Sequence, residues 1–143
     1  DLMMDEVPFC GGTAHRGVTK SASTLWEHMG STILALLSKH PSYSLHLTGH
    51  SLGGGVALLM HLKLTHGPTP ILPPHRVRTT VIAPPPVFAP LDRVPEGVRE
   101  GLTSFVSNLD VIPRCSLHNM YRTVQQVDSL FEVDVSRDEK VLL

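Results

Sequence analysis

The chain has 143 residues, 41% of them hydrophobic and 17% charged, enough for one globular domain with a real core. Twelve basic against thirteen acidic side chains leave a net charge of -1, so no long-range field favours nucleic acid or an anionic membrane surface. The longest apolar stretches, such as residues 56–60, fall far short of the roughly 20 residues that a membrane span needs, so no transmembrane segment is expected. The opening DLMMDEVPF has no basic region leading into an apolar one, so no targeting segment is visible and no compartment is assigned.

Residues 1–16 mix proline, glycine and polar side chains without a sustained period and read as irregular, with at most a short strand near His15. Over residues 21–39 the apolar positions Ala22, Leu25, Trp26, Met29, Ile33, Leu36 and Leu37 recur at three- and four-residue steps, which predicts an amphipathic helix ending before Pro41. Residues 44–48 alternate Leu45 and Leu47 with polar residues and run into Gly49, a strand ending at a sharp turn. Residues 52–66 are apolar on nearly every face, as expected of a helix buried against a sheet.

The proline-rich GPTPILPPH (67–75) reads as a connection. Residues 77–83 are β-branched and apolar up to the triple proline at 84–86, a second buried strand. A weak helical stretch over 92–100 precedes a third strand at 102–107, which ends in the polar loop SNLD closing on Asp110. From Ser116, placed as an N-cap, a further helical series follows, and residues 132–143 are an unassigned tail. Three strands separated by helical segments imply βαβ units, hence an α/β fold with a parallel sheet and flanking helices in one domain over residues 1–143. Active residues in such sheets gather at the carboxyl ends of the strands, where Ser51 and Asp110 are both placed.

Gly49-His50-Ser51-Leu52-Gly53 matches G-x-S-x-G. In that motif a serine sits on a tight strand-to-helix turn with strained backbone angles, and the flanking glycines remove side chains that would clash. The turn lifts the Ser51 hydroxyl above the sheet while the Leu52 amide, at the head of the helix, points at a developing oxyanion. Five residues alone are a weak signal, but a strand before and a long buried helix after are the context the motif requires. No metal or cofactor is expected. The nine histidines are scattered, His61 and His66 diverge around a helix, and Cys10 and Cys115 allow at most one bridge in no ligand spacing.

The strings HPSYSLHLTGHSLGGGVALL (40–59), AHRG (14–17) and SNLDVIPR (107–114) resemble the class 3 lipases, a family that includes secreted fungal triacylglycerol lipases and diacylglycerol lipases. The resemblance runs from residue 1 to about residue 130 with the three motifs in the family's order. It implies an α/β-hydrolase with Ser51 as nucleophile, Leu52 as one oxyanion-hole amide, Asp110 as triad acid, and an acylglycerol or other lipid ester as substrate, met through transient contact with a lipid interface. The prolines after residue 83 and the helix after Pro113-Arg114 look more like the diacylglycerol lipase branch. His15, in the family's H-x-G motif, precedes the nucleophile and is read as structural. His50 is read as a packed residue beside Ser51.

The base of such a triad follows the acid. Only His118 does so, eight residues on and at the start of a helix that would carry it away from Ser51, so it is read as a surface histidine. By the resemblance, the first strands, a second oxyanion donor, the lid and the triad histidine all fall outside the chain. Two functions follow: a segment of an acylglycerol lipase working through an acyl-enzyme on Ser51, or a catalytically inactive lipase-like fragment or binding domain.

Overall fold

The computed structural model describes residues 6–114, so the predicted helix from Ser116, His118, Cys115 and the 132–143 tail lie outside the described residues. The parallel sheet is built from the three strands read in the sequence: β3 (Leu45–His50), β4 (Val77–Ile82) and β6 (Leu102–Phe105), in the order β3-β4-β6. β3 pairs with β4 from Leu45↔Val77 to His50↔Ile82, and β4 with β6 from Thr79↔Leu102 to Ile82↔Phe105. Alternation sends Val77, Thr79 and Val81 into the core, while Arg78 and Ile82 are exposed on the other face.

The long connections are helical. α1 (Arg16–Lys39) starts five residues before the amphipathic pattern does, because its N-cap is not one of the usual hydroxyl or amide residues. The Val18 amide donates to His15 Nδ1 at 3.4 Å, and the His40 amide closes the far end on the Leu36 carbonyl at 2.9 Å. α2 (Leu52–His66) is apolar all round and lies between α1 and the sheet, with Leu59, Leu62 and Leu64 fully buried. Each of those leucines contributes about 2 kcal/mol by leaving water. The predicted weak helix near residue 92 is a 3-10 turn at Leu91–Arg93 followed by one turn, α3 (Glu96–Arg99), which inserts Val94 and Val98 into the same core as Leu59 and Leu62.

A second sheet was not foreseen beyond a strand near His15. β1 (Glu6–Phe9), β2 (Gly12–His15) and β5 (Phe88–Ala89) form an antiparallel sheet in the order β1-β2-β5. Cys10 and Gly11 join β1 to β2 with φ of 44° and 79°, the left-handed pair of a type I′ hairpin. Burial pushes the half-buried Cys10 thiol up to about 11, with nearby Lys63 acting weakly in the opposite sense, so it stays protonated at neutral pH. β2 runs directly into α1, and the sheet clips the loop after β4 to the start of that helix: His15 donates its amide to the Val87 carbonyl at 3.0 Å.

Candidate active site

Ser51 occupies the single residue between the end of β3 and the start of α2, at φ 50° and ψ -123°. A non-glycine residue rarely adopts such angles, and they cost on the order of 1–3 kcal/mol unless the surroundings impose them. Here both neighbours do so: the Ser51 amide donates to the Ile82 carbonyl at 2.9 Å, extending the β3–β4 pairing, while its carbonyl accepts the Gly55 amide at 3.1 Å as the first helical bond. One residue thus ends a strand and begins a helix. Its hydroxyl caps nothing in α2.

The glycines around the turn divide the work unequally. A Cβ on Gly49 would stand 2.3 Å from the Gly53 carbonyl oxygen, so the helix can fold back over the strand end only because Gly49 has none. Gly53, by contrast, has open space at its Cβ position among the described residues; the clash expected on the helix side of the motif is not there. The close approach on that side belongs to the next two residues. A Cβ on Gly54 would meet Pro84 Cβ at 3.3 Å and one on Gly55 would meet Val87 Cγ1 at 2.9 Å, so this pair lets the first turn of α2 lie on the loop leaving β4. The first amides of α2, from Leu52 onward, have no acceptor within the helix and carry the positive end of its dipole. The Leu52 side chain is exposed, which leaves that end open to a ligand.

Asp110 follows β6 by five residues, so it and Ser51 lie beyond the carboxyl ends of β6 and β3, the two strands that flank β4. The loop is closed from within. The Asp110 amide donates to the Ser107 carbonyl at 3.0 Å, Oδ1 accepts the Ile112 amide at 3.0 Å, and Arg114 reaches the Asn108 carbonyl at 2.9 Å. One carboxylate oxygen therefore fixes the loop.

Of the other histidines named above, His15 and His61 have structural places. His15 caps α1. His50 is exposed rather than packed as expected, because it ends β3 on the same uncovered face as His46, four residues earlier, whose Nε2 lies 2.9 Å from Thr80 Oγ1. His61, weighed in the sequence only against metal binding, is fully buried and bonded through both ring nitrogens. A polar ring on a helix that is apolar on every face had to find partners in the core, and that was the available signal.

A serine on a strained strand–helix junction at the carboxyl edge of a parallel sheet, with helix amides beside it, defines an α/β-hydrolase. The chain belongs to the class 3 lipase family, whose model matches residues 2–120. It is 39% identical over 57 residues to a lipase of Rhizomucor miehei and 31% identical over 109 residues, 75% of the chain, to diacylglycerol lipase-beta of Mus musculus. It spans only 16% and 15% of the length of these two relatives. Among solved structures it resembles the Rhizomucor miehei lipase–propeptide complex, at 27% identity with a TM-score of 0.63 over 77% of this chain and 36% of that one. It also resembles a triacylglycerol lipase described as having a serine protease triad at its catalytic centre, at 25% identity with a TM-score of 0.66 over 80% of this chain and 44% of the other.

Proposed function

We propose that this chain carries the nucleophile and acid of a serine hydrolase acting on lipid esters, with acylglycerols as the substrate class. The carrying observation is the backbone of Ser51, bent to φ 50° with its hydroxyl unused by the helix it precedes. A structural serine at a helix start would cap; this one is held clear. Ser51 Oγ attacks the ester carbonyl, the developing oxyanion lies against the Leu52 amide, the alcohol departs with a proton, and water then releases the acid from the acyl-enzyme. Asp110 orients the imidazole that takes the Ser51 proton and passes it to the departing alcohol, and stabilises the ring while it is charged. The acylglycerol assignment draws on the named activities of the lipase and diacylglycerol lipase relatives, and the exposed apolar residues Leu52, Leu109 and Val111 beside the site suit a water-insoluble substrate.

Among the described residues no imidazole is bonded to Ser51 or Asp110, and on this reading a histidine outside residues 6–114 supplies the base. That same observation favours the second reading, a lipase-like chain without turnover. A fluorophosphonate probe and a short-chain ester decide between them. The first reading expects labelling and hydrolysis that vanish in Ser51→Ala once the chain is assayed together with the segment that supplies the histidine; a folded protein holding that segment that neither labels nor hydrolyses leaves the second.

A further inference from the structure

One buried side chain joins the helix that begins at the elbow to β4 and to the short α3 that precedes β6. His61 lies nine residues into α2, roughly 14 Å along the axis from Leu52, and has no exposed surface. Its Nε2 is 3.0 Å from the Val98 carbonyl on α3, and its Nδ1 is 2.9 Å from Thr79 Oγ1 on β4. A carbonyl can only accept, so Nε2 carries the hydrogen. In the neutral ring Nδ1 then accepts from the Thr79 hydroxyl. The contact is close on every side: a Cβ on Gly101, one residue before β6, would stand 2.9 Å from His61 Cε1. Gly101 in turn donates its amide to Val98 and accepts that of Thr79, so ring, turn and strand form one hydrogen-bonded unit.

A second proton on this ring is costly. Nδ1–H would face an oxygen whose own hydrogen must turn away, and the charge would sit out of water with one carbonyl against it. Burial holds the imidazole below its ordinary value, opposed by the Val98 carbonyl. The charged groups on the elements packed around it offer no counter-ion. Lys63 of α2 reaches Ser23, Arg76 reaches the Tyr43 carbonyl, and Arg78, Asp92, Arg93, Glu96, Arg99 and Glu100 are exposed; His66 and His75 are the other titratable groups on these segments.

We propose that His61 is a positioning residue with a pH-sensitive hold: its neutral ring fixes the segment entering β6, and with it the Asp110 loop, against the helix that presents Ser51 and Leu52. Acidification releases that segment before the rest of the fold opens. The consequence for catalysis rests on the proposed roles of Ser51 and Asp110; the hold itself does not.

The test compares the full chain with His61→Gln, whose amide can donate to Val98 and accept from Thr79 but does not titrate, and with His61→Ala. Ring NMR is expected to find the Nε2–H tautomer with a midpoint below 6.5. Hydrogen exchange, corrected for intrinsic rates, is expected to show protection over residues 96–105 falling at least tenfold between pH 7.5 and 5 in the wild type while α1 stays protected. His61→Gln stays protected at both pH values, and His61→Ala is open at both. A midpoint at or above 6.5, identical profiles for wild type and His61→Gln, or simultaneous loss in α1 would each overturn the hold. Should His61→Gln not fold, Thr79→Val serves: without the hydroxyl that ties the ring to β4, protection over residues 96–105 must already be reduced at pH 7.5, and unchanged protection there rejects the idea. Ser51 labelling is read in parallel in a protein that also carries the base. No labelling at any pH alongside the expected exchange pattern sinks the proposed function and leaves the hold; a fall in labelling no steeper in wild type than in His61→Gln removes its influence on the site.

Discussion

The two ends of α2 are built on opposite principles. At its N-terminus Ser51 is strained, its hydroxyl caps nothing and the Leu52 side chain is exposed; in its second half His61 and Thr65 are buried with every side-chain polar atom satisfied. Thr65 donates to the His61 carbonyl at 2.7 Å within the helix, and the leucines between fill the core. The difference separates what the helix does from what holds it. Strain at the first turn is tolerable because the remaining turns are anchored well enough to impose it.

The largest expected effect breaks the active end alone. In a protein that also carries the base, Ser51→Ala should lower ester turnover by at least about a thousandfold, with melting temperature unchanged, since among the described residues the hydroxyl makes no bond that stabilises the fold. Esterase assays with thermal denaturation on the same sample check both halves. In the same base-containing protein Asp110→Asn should cost on the order of a thousand- to ten-thousandfold in rate. It keeps an oxygen for the Ile112 amide, so circular dichroism should remain native. Gly49→Ala attacks the join between the two ends: its Cβ would be 2.3 Å from backbone, and a loss of about 3 kcal/mol or more is expected from urea denaturation. Ala at Gly53, with open space around it, should cost far less, and equal losses at both sites would contradict the division of roles described for the two glycines.

The anchored end has its own signature in pH. The folded-state value of His61 lies below that of the free side chain, so the unfolded chain takes up the proton first as pH falls. Its contribution to stability is fully present above about 6.5 and declines as pH drops below that, with a slope of at most about 1.4 kcal/mol per pH unit. Urea midpoints measured from pH 8 to 5 should show this slope in the wild type and a shallower one in His61→Gln.

How much of this was legible depended on length and period. β3, β4 and β6 were readable because each is a short apolar or alternating run bounded by glycine, proline or a polar loop, and α2 because fifteen residues carry no polar face. β1 and β2 were hidden: four residues each, Pro8 in one of them, and a Cys10-Gly11 turn in place of the usual asparagine or aspartate before glycine. β5 has two residues and exists only because β2 is there to pair with it. The early start of α1 was invisible because its cap is an imidazole. At the site, Ser51 and Asp110 could be placed from strand ends alone, whereas the link from His61 to Val98 joins residues 37 apart, a separation no local pattern encodes.

The smallest prediction tests whether the anchoring of α2 extends to its face toward α1. Lys63 Nζ donates to Ser23 Oγ at 3.1 Å, partly buried between the two helices. A neutral hydroxyl returns little for ordering a long side chain, so Lys63→Met, which keeps the apolar stem, should shift stability by less than about 1 kcal/mol. Its clearer effect is electrostatic. Removing the one positive charge that favours the Cys10 thiolate should raise that thiol further above about 11. Alkylation of Cys10, followed by mass spectrometry at pH 8 to 9, should therefore slow in Lys63→Met. Unchanged or faster alkylation, with stability intact, would mean that Lys63 does not sit close enough to Cys10 to bias it, and that this face of α2 is looser than the one toward β4.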